Sequence, residues 1–114
     1  MSSNFTSLKK RSQFLNLRKK GKSVKSKFFI FNFSKNSITS PEKISRIGIT
    51  VSKKNGNAVK RNYIRRVIKA LITQNKTFMP VGLDIEIIPR KTFLEFRVAD
   101  IQNDLLNFQN SALK

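Results

Sequence analysis

The 114-residue chain has no cysteine and no histidine. Without cysteine there is no disulfide framework, no thiolate zinc site and no thiol nucleophile. Without histidine, the side chain that most often acts as general acid or base near neutral pH is missing too. Acidic residues are scarce, six against twenty-four Lys and Arg, which leaves little from which to assemble a carboxylate metal site. No run approaches the ~20 apolar residues that a bilayer-spanning helix requires. The basic N-terminus is not followed by the apolar segment of a secretory signal. These absences predict a soluble, cytoplasmic protein that binds no metal with its own side chains and is a poor catalyst by itself.

What the chain has in excess is positive charge. The formal net charge is +18. Residues 1–76 hold twenty basic residues and one acid, Glu42, whereas residues 77–114 hold four basic residues and five acids. A field of this size repels itself unless a polyanion neutralises it, so nucleic acid or an anionic membrane is implied. The strongest basic helix lacks the wide apolar face that lipid needs, so nucleic acid is favoured over membrane. The length suits one domain, 1–114, with ten Phe to fill a modest core and a flexible basic tail over about residues 1–11.

Ser12 can cap a short helix carrying Phe14 and Leu17 and ending at Gly21. Lys27–Phe33 has strand composition, with Phe29, Phe31 and Phe33 on the core face and Phe28, Ile30 and Asn32 on the other. Residues 35–43 are rich in Asn, Ser and Thr, contain Pro41 and read as a loop. Arg46–Ser52 alternates as a half-buried strand, with Ile47, Ile49 and Val51 inward and Arg46, Gly48, Thr50 and Ser52 opposite. Asn55-Gly56-Asn57 forms a turn and supplies an N-cap for a helix from Ala58 to about Gln74. After Pro80 and Gly82, Leu83–Pro89 reads as a strand. Val98–Phe108 closes the chain as an amphipathic helix with Ile101, Leu105 and Phe108 inward. The order α-β-β-α-β-α, with room for a further strand near Phe5 or in the loop, predicts an α/β fold: a two-layer α+β sandwich on a small mixed sheet.

The helix from Ala58 carries the functional signal. Val59, Tyr63, Ile64, Val67, Ile68, Ala70 and Leu71 fill the sector expected to dock on the sheet. Arg61, Arg65 and Lys69 recur every four residues, with Asn62 and Arg66 beside them, over roughly 140° of the other side. No carboxylate interrupts this strip, although solvated helix faces ordinarily mix signs. Arginine suits bidentate contacts to phosphate. Lys53, Lys54 and Lys60 crowd the helix start, where free N–H groups and the helix dipole also favour an anion.

Taken together, Gly48-Ile49-Thr50-Val51-Ser52-Lys53-Lys54, Gly56-Asn57-Ala58-Val59 and Arg61-Asn62 followed by Arg65-Arg66 resemble the signature of the bacterial ribonuclease P protein family. Leu8-Lys9-Lys10, Phe14, Gly21, Asp84 and Ile88-Pro89-Arg90 extend the resemblance over residues 8–108. Arg61-Asn62-Tyr63 stands where that family has Arg-Asn-Arg, and Arg18 where it often has a second aromatic. The resemblance implies a left-handed β-α-β crossover around the central helix. It also implies a partner RNA that is itself the catalyst, with Mg²⁺ acting through that RNA to cut the 5′ leader from precursor tRNA. Lys53, Lys54, Lys60, Arg61, Asn62, Arg65, Arg66 and Lys69 would then contact the RNA subunit. Phe14, Arg18, Arg90 and Lys91 would line a cleft for the leader, and neither a membrane nor a small-molecule substrate is implied.

Three other readings compete. A structural RNA-binding protein, such as a ribosomal component, fits the charge and size equally well. A protein nuclease would have to use Asp84 and Glu86, which share a strand face; ion pairing with Arg90 on that face is the simpler assignment. Duplex DNA recognition by the basic helix is the third. Asp100 and Asp104 read as solvated surface.

Overall fold

The computed structural model describes residues 5–36, 44–75, 81–91 and 97–112. Five strands form one sheet: β1 (Phe5–Ser7), β2 (Lys22–Lys25), β3 (Phe29–Lys35), β4 (Ser45–Ile49) and β5 (Leu83–Pro89), in the order β1-β4-β5-β3-β2. The helices are α1 (Arg11–Lys20), α2 (Ala58–Gln74) and α3 (Val98–Ala112). β1 and β5 run parallel to β4, whereas β3 runs antiparallel to both β5 and β2. The sheet is therefore mixed, and α2 is the connection between the adjacent parallel strands β4 and β5.

Alternation decides what each face holds. Phe29, Phe31, Ile47, Ile85 and Ile87 meet Ile64, Ile68, Leu71 and Ile72 of α2 and Ile101, Leu105 and Phe108 of α3 in one buried cluster. The Phe31 and Phe108 rings stack at 3.9 Å between centroids, and Phe33 meets Phe108 edge-on at 5.4 Å. The phenylalanines of β3 are thus core, as their spacing predicts. The short α1 covers the opposite face. There Gly48, Glu86 and Asn32 lie side by side across three strands. Gly48 makes room for the helix: a Cβ added to it would stand 2.3 Å from the tip of the Phe14 ring.

Several boundaries differ from expectation, for local reasons. The tail predicted over residues 1–11 contains structure: Phe5–Ser7 pair in parallel with Ser45–Ile47, and Leu8 is buried. Ser12 is not the cap of α1. The helix starts at Arg11, and Gln13 Oε1 accepts a 3.2 Å hydrogen bond from the Lys10 backbone N–H. The end at Gly21 is as read, its N–H donating to the Leu17 carbonyl at 2.9 Å. β2 has one apolar residue, Val24, in Lys-Ser-Val-Lys, so neither alternation nor propensity marks it. It exists because β3 offers an unpaired edge. The loop read over residues 35–43 gives up Lys35 to β3 and otherwise lies largely outside the described residues. β4 ends at Ile49 rather than Ser52, and Val51 still reaches the core.

Candidate nucleic-acid interface

Helix α2 is built to hold its orientation. A 3₁₀ turn at Lys53–Asn55 leads into Gly56, whose φ of 109° lies where side chains are strained. Asn57 then caps the helix, its Oδ1 accepting from the Lys60 N–H at 3.0 Å. Buried Asn55 donates to the Pro89 carbonyl and anchors the turn to the end of β5.

The docked face is turned from the one expected. Ile64, Ile68, Leu71, Ile72 and Asn75 are buried, whereas Val59 is 73% and Tyr63 48% exposed, and Ala70 is also exposed. Burying Val59, Tyr63 and Ala70 would bring Ile72 out into water. The helix instead settles on the sector that removes the most branched aliphatic surface.

The cationic strip stays outside after this rotation. Asn62, Arg66 and Lys69 point to solvent, and Arg61 and Arg65 lie half-buried along the flank. Arg65 Nη1 donates to Asn62 Oδ1 at 3.0 Å, which holds the guanidinium along the surface. The Nε of Arg61 is shielded from water without a partner among the described residues. Val59, Asn62, Arg65, Arg66 and Lys69 line an open groove of about 450 Å³. Lys53, Lys54 and Lys60 are exposed at the helix start. Among the described residues, none of these seven Lys and Arg side chains forms a salt bridge: the two found join Arg18 to Glu86 and Arg46 to Asp84.

Those two pairs correct the expectation that Arg90 neutralises the β5 carboxylates. Arg46 stands opposite Asp84 in the parallel register and grips it through two 2.6 Å hydrogen bonds. Glu86 is fully buried, and Arg18 forks onto it from α1 at 3.1 and 2.6 Å. Thr50 Oγ1 donates to Glu86 at 2.7 Å and Asn32 Nδ2 at 3.1 Å. Burial by itself would raise the Glu86 carboxyl. The hydrogen bonds from Arg18, Thr50 and Asn32, together with the Arg18 charge, outweigh it and hold the group below its ordinary value. With their oxygens occupied by guanidinium forks, Asp84 and Glu86 do not fit the ligand set of a divalent metal. Asp104 is not merely solvated surface either, accepting from Ser26 Oγ at 2.6 Å and the Phe28 N–H at 3.0 Å.

The proposed leader residues divide into two places. Phe14 and Arg18 line a hollow of about 420 Å³ with Lys9, Arg11, Leu15 and Thr50. Arg90 and Lys91 stand past the end of β5, where Arg90 Nη1 donates to the Ser26 carbonyl, and neither lines that hollow. Lys9 and Arg11 lie in the segment expected to be a tail, where charge alone does not reveal a place beside the hollow. Thr50 was legible, since it shares a strand face with Gly48, and a glycine in a strand marks a close approach.

A mixed α/β sheet presenting a capped helix whose cations have no carboxylate partner among the described residues marks a nucleic-acid-binding protein. Comparison with known proteins narrows the class. A family profile described as Ribonuclease P matches residues 3–112. The chain is 39% identical over 88 residues to the ribonuclease P protein component of Thermotoga maritima, covering 77% of this chain and 72% of that protein. It is 36% identical over 109 residues to that of Bacillus cereus strain 03BB102, covering 94% and 91%. The solved ribonuclease P protein of Staphylococcus aureus superposes with a TM-score of 0.79 at 32% identity, over 97% of this chain and 96% of that one. That of T. maritima gives 0.80 at 34% identity, over 90% and 94%. The chain belongs to the ribonuclease P protein family and is a component of that tRNA-processing endoribonuclease.

Proposed function

We propose that this chain binds the catalytic RNA subunit of ribonuclease P through α2 and the turn before it, and holds the 5′ leader of precursor tRNA against the hollow between α1 and the sheet. Lys53, Lys54, Lys60, Arg61, Asn62, Arg65, Arg66 and Lys69 meet the RNA subunit. Lys9 and Arg11 supply charge beside the leader, and Phe14 and Leu15 supply apolar contact. Arg18 carries little free charge to that hollow, because Glu86 neutralises it, so its part is to hold the floor. Arg90 and Lys91 are positioned to meet only chain that runs past the end of β5. Cleavage belongs to the RNA, with Mg²⁺ held there. In support, the polypeptide has no histidine or cysteine, and both β5 carboxylates are engaged by arginine.

The observation that carries the reading is the α2 strip, whose cations find no carboxylate within the described protein. Reconstitution tests it. The protein mixed with a bacterial-type ribonuclease P RNA at low Mg²⁺ should promote 5′ maturation of precursor tRNA, whereas protein with Mg²⁺ alone should leave the substrate intact. Cleavage by the protein alone would move the chemistry to the polypeptide. RNA binding without any gain in maturation would favour a purely structural RNA-binding role.

A further inference from the structure

Beside its cations, the outward face of α2 carries an apolar row with no partner among the described residues. Val59 is 73% exposed, Tyr63 48% exposed, and Ala70 is exposed as well. Helical spacing places the three within about 40° of one another, next to Arg66. Lys60 and Arg66 flank Tyr63 three residues to either side, close enough to share one surface patch. No acid lies between Glu42 and Asp84 in the sequence. Isolated exposed apolar residues need no explanation, and valine and tyrosine are weaker helix formers than the alanine, leucine or lysine that an exposed turn ordinarily takes. An aromatic ring bracketed by cations, on a face where the described residues place no carboxylate, has one well-matched occupant: single-stranded RNA, whose phosphates meet the cations while a base stacks on the ring. The charge of the patch argues against an apolar or basic protein surface in the same place.

We propose that Tyr63 is a base-stacking residue: its ring takes an unpaired nucleobase of the RNA bound along α2, with Val59 closing the edge of the platform. This deepens the reading of α2 as an RNA interface and rests on it. Stacking is uncharged, so it adds affinity without adding to the salt dependence that the neighbouring arginines create.

The chain has one tyrosine and no tryptophan, so protein labelled only in tyrosine rings reports residue 63 alone. Adding ribonuclease P RNA should shift its ring proton resonances upfield. Tyr63→Ala should weaken RNA binding roughly 5- to 100-fold with an unchanged salt slope, while Tyr63→Phe should bind as the parent does. If Tyr63→Ala binds normally, or Tyr63→Phe loses as much as Tyr63→Ala, stacking is refuted. If in the same series Arg65→Ala with Arg66→Ala still flattens the salt slope, the RNA interface itself survives that result. If neither variant affects binding, the interface fails along with the stacking. Should Tyr63→Ala not fold, the ring shift in the parent protein decides alone.

Discussion

Two sets of arginines share this small molecule and live differently. Arg18 and Arg46 are forked onto buried carboxylates of β5 and belong to the architecture. Arg65, Arg66 and their neighbours on α2 line a surface where, among the described residues, no carboxylate pairs with them. The chain has only six acids. Two of them, Glu86 beneath α1 and Asp84 beside β4, are buried carboxylates that would be costly without their arginines, and among the described residues none stands along α2. Net charge alone would treat all these cations as equivalent. The distribution of acids separates cations that hold the fold from cations that await a ligand.

The sharpest way to break this comparison is to remove a structural arginine. Arg18→Met leaves Glu86 fully buried with only Thr50 and Asn32 for company, and should destabilise the protein by about 3–5 kcal/mol. The double variant Arg18→Met with Glu86→Gln should recover much of that loss, because it removes the stranded charge. Denaturant unfolding measures both, and a single variant as stable as the parent would dissolve the distinction.

The next effect is milder and reversible. The Glu86 carboxyl is depressed in the folded protein, so its contribution to stability is full above the ordinary value of 4.5 and drains away as the pH falls below it through the folded-state value. Unfolding free energy followed downward from pH 5 should therefore decline, and the Glu86→Gln protein should lose less over the same window. Equal slopes for the two proteins would assign the acid sensitivity elsewhere.

The smallest expected effect on stability comes from the other set. Arg65→Ala with Arg66→Ala should alter the unfolding free energy by no more than about 0.5 kcal/mol. The same pair should flatten the salt dependence of RNA binding by about one to two units of log–log slope. A large stability loss with an unchanged slope would show that these arginines too are structural.

Much of this was legible in the chain. Alternation located Phe29, Phe31 and Phe33 and the inward residues of β4, because period two follows from strand geometry whatever the partner, but it turned Phe28, just before β3, away from the core cluster in which it is buried. The turn Asn55-Gly56-Asn57 marked the start of α2, because capping is a local matter. The rotation of α2 was not legible. Val59 and Tyr63 fit an apolar stripe as well as Ile72 does, and only the shape of the sheet decides which sector docks. β2 was missed, and β1 was anticipated only as room for a strand near Phe5, for a related reason: three- and four-residue strands are held by backbone pairing to their neighbours, which side-chain pattern does not encode. The pairs of Arg18 with Glu86 and Arg46 with Asp84 span 68 and 38 residues and needed the register before they could be seen.

The sequence by itself determined that this protein is an unbalanced polycation with one helix whose basic face meets no acid along its own length, since charge and helical period are properties of the chain. Tertiary structure alone decided which cations are free. Whether an arginine meets a carboxylate depends on distances set by strand order and helix docking, and those arise from burying the largest aliphatic and aromatic surfaces, to which the arginines themselves contribute little.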